Sequence, residues 1–117
     1  MDDMKIFAAA SYRGKKFYFD ENCSDMPSGV KDEVITLCKS AAELVQGVFY
    51  VSYDDSDVTF GSRADDGDTD FDEIGARLMT EIIIEEHAEL HKSLRLWHAL
   101  YRTDRGAALR EKLKGIL

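Results

Sequence analysis

The residues best suited to chemistry lie in one C-terminal stretch. His87, His91 and His98 are spaced four and seven apart. On a helix they fall within about 40° of one another. The first pair reads His-Ala-Glu-Leu-His, an i,i+4 arrangement able to chelate zinc. It is not the zinc-protease motif, because the glutamate stands third and not second. His98 would lie roughly 10 Å beyond His91 along the axis, so a complete site at His87 and His91 needs carboxylates from elsewhere. The plainer reading, and the preferred one, sets the histidines along the edge of an apolar stripe formed by Leu90, Leu94, Trp97 and Tyr101.

A second cluster is acidic. Asp66, Asp68 and Asp70 alternate as they do in a calcium loop. The pattern then departs from that loop: Phe71 occupies the glycine position and Arg77 the position of the closing glutamate. Charge density alone supports weak cation binding there, and a solvated loop ending in a helix cap is the competing account. No cofactor is expected. Glycine-rich phosphate loops, a nucleophile elbow and a Cys-x-x-Cys pair are all missing from the sequence. Cys38 falls on an apolar helical stripe and reads as a small buried hydrophobe. Cys23, in a polar segment, is expected to be exposed, with no base nearby to activate it. Tyr12 and Tyr53 flank equivalent turns, either lining one pocket or forming a cross-strand pair, with pairing the more economical.

The elements that must position these residues follow from periodicity. The chain has 117 residues and a formal charge of -8. One domain over 1–117 is expected, built from a β-β-α unit (1–47), a second such unit with a long helix (48–103) and a short final helix (104–117). Residues 4–12 and 16–19 read as a hairpin around Arg13-Gly14. A helix should begin near Ser28 and stop at Gly47, taken as its left-handed cap. Residues 48–53 and 58–60 form the second hairpin. A helix opening near Asp70 with Glu73 three positions on then runs without a breaker to about Tyr101, some 45–50 Å. Thr103 to Gly106 ends it, and Ala107 to Lys114 forms the last helix. Sliding the sequence by 41 positions superposes Ser11-Tyr12 on Ser52-Tyr53, Phe17 on Val58, Phe19 on Phe60 and Leu37 on Leu78. The expected fold is α+β, a four-stranded antiparallel sheet from two hairpins with helices covering it.

Lys16-Phe17-Tyr18-Phe19, Lys31-Asp32-Glu33 with Leu37-Cys38, and Asp72-Glu73-Ile74-Gly75 resemble a family of small proteins of unknown function from anaerobic Gram-positive bacteria. The resemblance spans roughly residues 8 to 100. It implies a bacterial cytosolic protein and carries no activity or catalytic residue.

Charge narrows the partners. Residues 1–86 hold 20 acids and 8 bases, whereas 87–117 hold 3 acids and 7 bases. The acidic body repels nucleic acid and anionic lipid, and the basic tail lacks the aromatic interleaving of an RNA binder. No membrane span is expected. The Met-Asp-Asp start has no basic region or apolar stretch behind it, which points to the cytoplasm. A helix that outruns its sheet leaves apolar residues to be covered. The expected function is therefore an interaction or adaptor module, self-associating through Leu94, Trp97 and Tyr101. The alternative is a ligand- or metal-binding domain, hydrolytic in one version, using His87 and His91 or the 65–73 loop.

Overall fold

The computed structural model describes residues 4–116. Strands β1 (Lys5–Ser11), β2 (Lys16–Phe19), β3 (Val48–Tyr53) and β4 (Val58–Arg63) form one antiparallel sheet in the order β2-β1-β3-β4. The two hairpins therefore meet through their first strands. Helices α1 (Ser28–Val45), α2 (Glu73–Glu86) and α3 (Ala88–Tyr101) cover one face of this sheet, and α4 (Asp104–Ile116) packs on α3. The α+β architecture is the expected one.

Alternation along the strands sends Ala8, Ala10, Phe49, Val51, Val58 and Phe60 into the core beneath the helices. A bulge between Ile6 and Ala8 inserts Phe7 as an extra residue opposite Val51. The bulge turns both Phe7 and Ala8 to the helix-covered face, where both are buried. Helix α1 supplies Val34, Leu37, Cys38, Ala41 and Ala42 at helical spacing.

Strand β4 runs on to Arg63 where residue 60 was expected, and the last helix opens at Asp104 and not at Ala107. Three further boundaries differ from expectation, each for a local reason. The long helix is interrupted at His87, whose backbone (φ -116°, ψ 35°) closes α2 and opens α3. Its N–H donates to the Ile83 and Ile84 carbonyls together. The second helix starts at Glu73 and not near Asp70, because Asp72 is the residue whose carboxylate accepts from Gly75 N at 2.9 Å. At the end of α1 it is Gln46, not Gly47, that adopts the left-handed conformation, with φ 54°. Gly47 is needed for space. A Cβ there would lie 2.5 Å from the Phe71 ring and 2.6 Å from the Arg63 carbonyl.

Adjacent substitutions at this cap should move stability in opposite directions. Gln46→Gly removes the left-handed strain and is expected to stabilise by roughly 0.5 kcal/mol. Gly47→Ala forces Phe71 away and should cost about 1–3 kcal/mol. Urea unfolding followed by circular dichroism checks both signs, and a stabilising Gly47→Ala would refute the packing account.

Candidate functional site

The three histidines do not converge. A backbone carbonyl only accepts, so each ring below donates one N–H and fixes its own tautomer. His87 Nδ1 donates to Ile83 O at 2.9 Å, within its own helix. His91 Nε2 donates to Val58 O at 2.9 Å, and its ring packs on Phe60. His98, buried, donates from Nε2 to Asp54 O at 2.7 Å and lies against Tyr53. The last two clasp α3 to both ends of the β3–β4 turn. Among the described residues no three His, Cys, Asp or Glu side chains come close enough to hold a metal ion. His87 does share a hollow of about 370 Å³ with Asp32, Glu33 and Glu86, floored by Leu37, Ala41 and Leu90. His91 is not part of it.

The acidic segment is committed to the β1–β2 turn. Buried Asp65 accepts from the Ser11 hydroxyl and from Arg13 N. Asp68 accepts from the Arg13 guanidinium at 3.4 Å and from Asp70 N at 2.9 Å. Asp66 and Asp70 point to solvent. Tyr12 and Tyr53 lie at opposite ends of the antiparallel β1–β3 pair, so they neither line one pocket nor pair across strands.

Cys23 is fully buried, contrary to the exposure expected of it. It sits in a 3-10 turn (Glu21–Cys23) capped by the Asp20 carboxylate. Burial pushes its thiol up despite the Arg102 guanidinium at 3.8 Å. Burial also pushes the Cys38 thiol up to about 12. Both are poor nucleophiles.

The predicted interaction residues divide. Leu94 and Trp97 are buried within the single chain. The Trp97 ring lies 5.4 Å from Phe7 and 5.9 Å from Tyr53, centre to centre, and its N–H donates to Asp25 at 3.0 Å. Tyr101 is partly exposed beneath the Arg110 guanidinium, 4.8 Å from its ring centre. The exposed apolar surface of this region is another set. Leu96, Ala99 and Leu100 of α3 face Ala108 and Leu109 of α4 across a groove of about 620 Å³, with Arg105 and Lys112 also in its lining. Leu96 is 62% exposed. The groove is held open by a tight corner. The Thr103 hydroxyl accepts from Gly106 N, and a Cβ at Gly106 would lie 1.9 Å from the Ala99 carbonyl. Sequence reasoning missed Leu96 and Leu109 because both fall off the buried stripe. That displacement was the available signal.

Among the described residues no helix is long and apolar enough to cross a membrane. A family model, a family of unknown function (DUF6145), matches residues 4–106. The chain belongs to that family. No curated protein and no solved structure matches it.

The α3 terminus is anchored by charge. Arg102 donates to both Asp25 oxygens, at 2.8 and 3.2 Å, and to Asn22 O at 2.8 Å. Burial raises the Asp25 carboxyl, but the Arg102 and Trp97 hydrogen bonds outweigh it and leave it below the usual range. A lowered folded-state value means that this stability is complete above the unfolded carboxyl value of about 3.9 and lost as pH falls through the folded one. Arg102→Met should cost about 1.5–3 kcal/mol at neutral pH. It should also flatten the loss of stability on acidification below about pH 4. Melting temperatures against pH test this, and an unchanged acid limb would refute it.

Proposed function

We propose that the protein is a small protein-interaction module whose docking surface is the α3–α4 groove. The observation that carries this reading is the groove itself. Two helices meet at a corner fixed by Gly106, and the groove between them leaves Leu96 62% and Leu109 46% exposed. Exposed contiguous apolar surface of this kind marks interaction sites. Leu94 and Trp97 serve it from behind, by seating α3 on the sheet, and Tyr101 with Arg110 steadies α4. Self-association through these C-terminal helices is the first assembly to be expected, and an adaptor role follows when the partner is a different chain. The likeness of Lys16–Phe19 and Asp72–Gly75 to the Gram-positive family supports a bacterial, cytoplasmic setting. The metal and ligand readings gain no support from how His87, His91 and Asp66, Asp68 and Asp70 are placed.

A photo-crosslinking residue at Leu109, introduced in the native cell, should trap a protein. The same residue at Thr59, on the sheet face away from the helices, should not. Adding Leu96→Asp should reduce the yield at Leu109 by about tenfold, as loss of a central apolar anchor costs more than about 1 kcal/mol. Equal yields from the two positions would overturn the reading.

A further inference from the structure

We propose that the groove receives helix α2 of a second copy of this chain. The inference rests on the interaction reading above and names the partner of the same surface. Helix α2 buries Ala76, Thr80 and Ile83 against the sheet. Its opposite side carries Ile74, Leu78 and Ile82, which are 66%, 55% and 48% exposed. Their four-residue spacing makes a stripe about 80° wide, with Glu81 at its edge and Glu85 within its angular range just beyond Ile82. This is a ridge of large apolar side chains on a helix whose core-facing side is already satisfied.

Charge selects the occupant. Glu81 and Glu85 are exposed and make no ion pair among the described residues. Arg105 and Lys112, in the groove lining, make none either. Arg95 and Arg102, by contrast, are neutralised inside the chain by Asp57 and Asp25. Groove-to-groove pairing would bring Arg105 and Lys112 of two copies together. Ridge-to-ridge pairing would do the same with Glu81 and Glu85. Both arrangements are repulsive. Ridge into groove matches leucine and isoleucine to leucine, and carboxylate to cation. About a two-fold axis each copy gives its α2 and accepts the other's, which closes the assembly at two chains.

Charge reversal tests this directly. Glu81→Arg with Glu85→Arg, and separately Arg105→Glu with Lys112→Glu, should each yield chains of 13.2 kDa in sedimentation equilibrium where the native protein has twice that mass. All four changes in one chain should restore the pair to within about tenfold of native affinity, since the ionic contacts are re-formed with reversed sign. Leu78→Asp alters one exposed residue and should also give single chains with an unchanged circular dichroism spectrum. A folded four-fold variant that stays single overturns the proposal. So does a native chain that is single at every concentration. In that case, crosslinking at Leu109 to a different protein leaves the interaction reading standing, and no crosslink at all removes both.

Discussion

Arg102 leaves the end of α3 and lays its guanidinium 4.7 Å from the centre of the Trp97 ring. There it grips both oxygens of Asp25, while the Trp97 N–H takes the same carboxylate. This contact joins residues more than seventy positions apart. It ties the polar segment after β2 to the last helix resting on the sheet, and it closes the core over Phe7 and Tyr53. The two histidine clasps and the Arg95–Asp57 pair are the other polar contacts of α3 with the sheet, added to the burial of Leu90, Leu94 and Trp97. Fully desolvated ion pairs often contribute little. This one retains partial access to water, places further donors on Asn22 O and Tyr101 O, and stacks on an aromatic face. Those are the conditions under which an arginine is worth more than its charge alone. The position of α4, and so the shape of the groove, follows from where Arg102 stops α3.

Much of this was legible in the sequence. The strand of residues 48–53 and that of 16–19 are found as read, because β-branched and aromatic residues bounded by turn formers leave little choice. The interruption at His87 was not legible. The buried residues Ala76, Thr80, Ile83, Leu90, Leu94 and Trp97 keep a spacing of three and four straight through it, with His87 itself in phase. A straight helix drifts by about 20° over each such heptad. Breaking once at His87 resets that drift and lets both halves face one core. No proline or glycine marks the place, because a histidine ring replaces the lost geometry with its own bond to Ile83 O. Cys23 and Asp65 were hidden for a related reason. Each lies in a polar stretch that is buried only by residues distant in sequence.

The internal repeat shows the same limit. The inward-facing strand residues obey the offset of 41: Ala8 and Ala10 correspond to Phe49 and Val51, and Phe17 and Phe19 to Val58 and Phe60. The helices obey 42 instead, with Val34, Cys38 and Ala41 corresponding to Ala76, Thr80 and Ile83. One extra residue enters between the second strand and the helix. Superposing Leu37 on Leu78 is therefore wrong by one position, and on a helix one position is 100°. Leu37 is buried and Leu78 is exposed.

That single residue has a physical consequence. In α1 the apolar pattern is nearly spent on the core, whereas α2 retains a full outward ridge beside its carboxylates. The break at His87 is also where the charge of the chain changes sign, from 20 acids against 8 bases before it to 7 bases against 3 acids from it onward. A continuous helix would have aligned the two halves along one axis. The break and the corner at Gly106 instead turn the basic half into a hairpin with an open apolar side. The acidic half keeps its own apolar side facing out. Opposite charges are thereby placed on two separate apolar surfaces of one chain. Like surfaces repel and unlike surfaces attract, so this charge layout works against indiscriminate clustering of the exposed leucines.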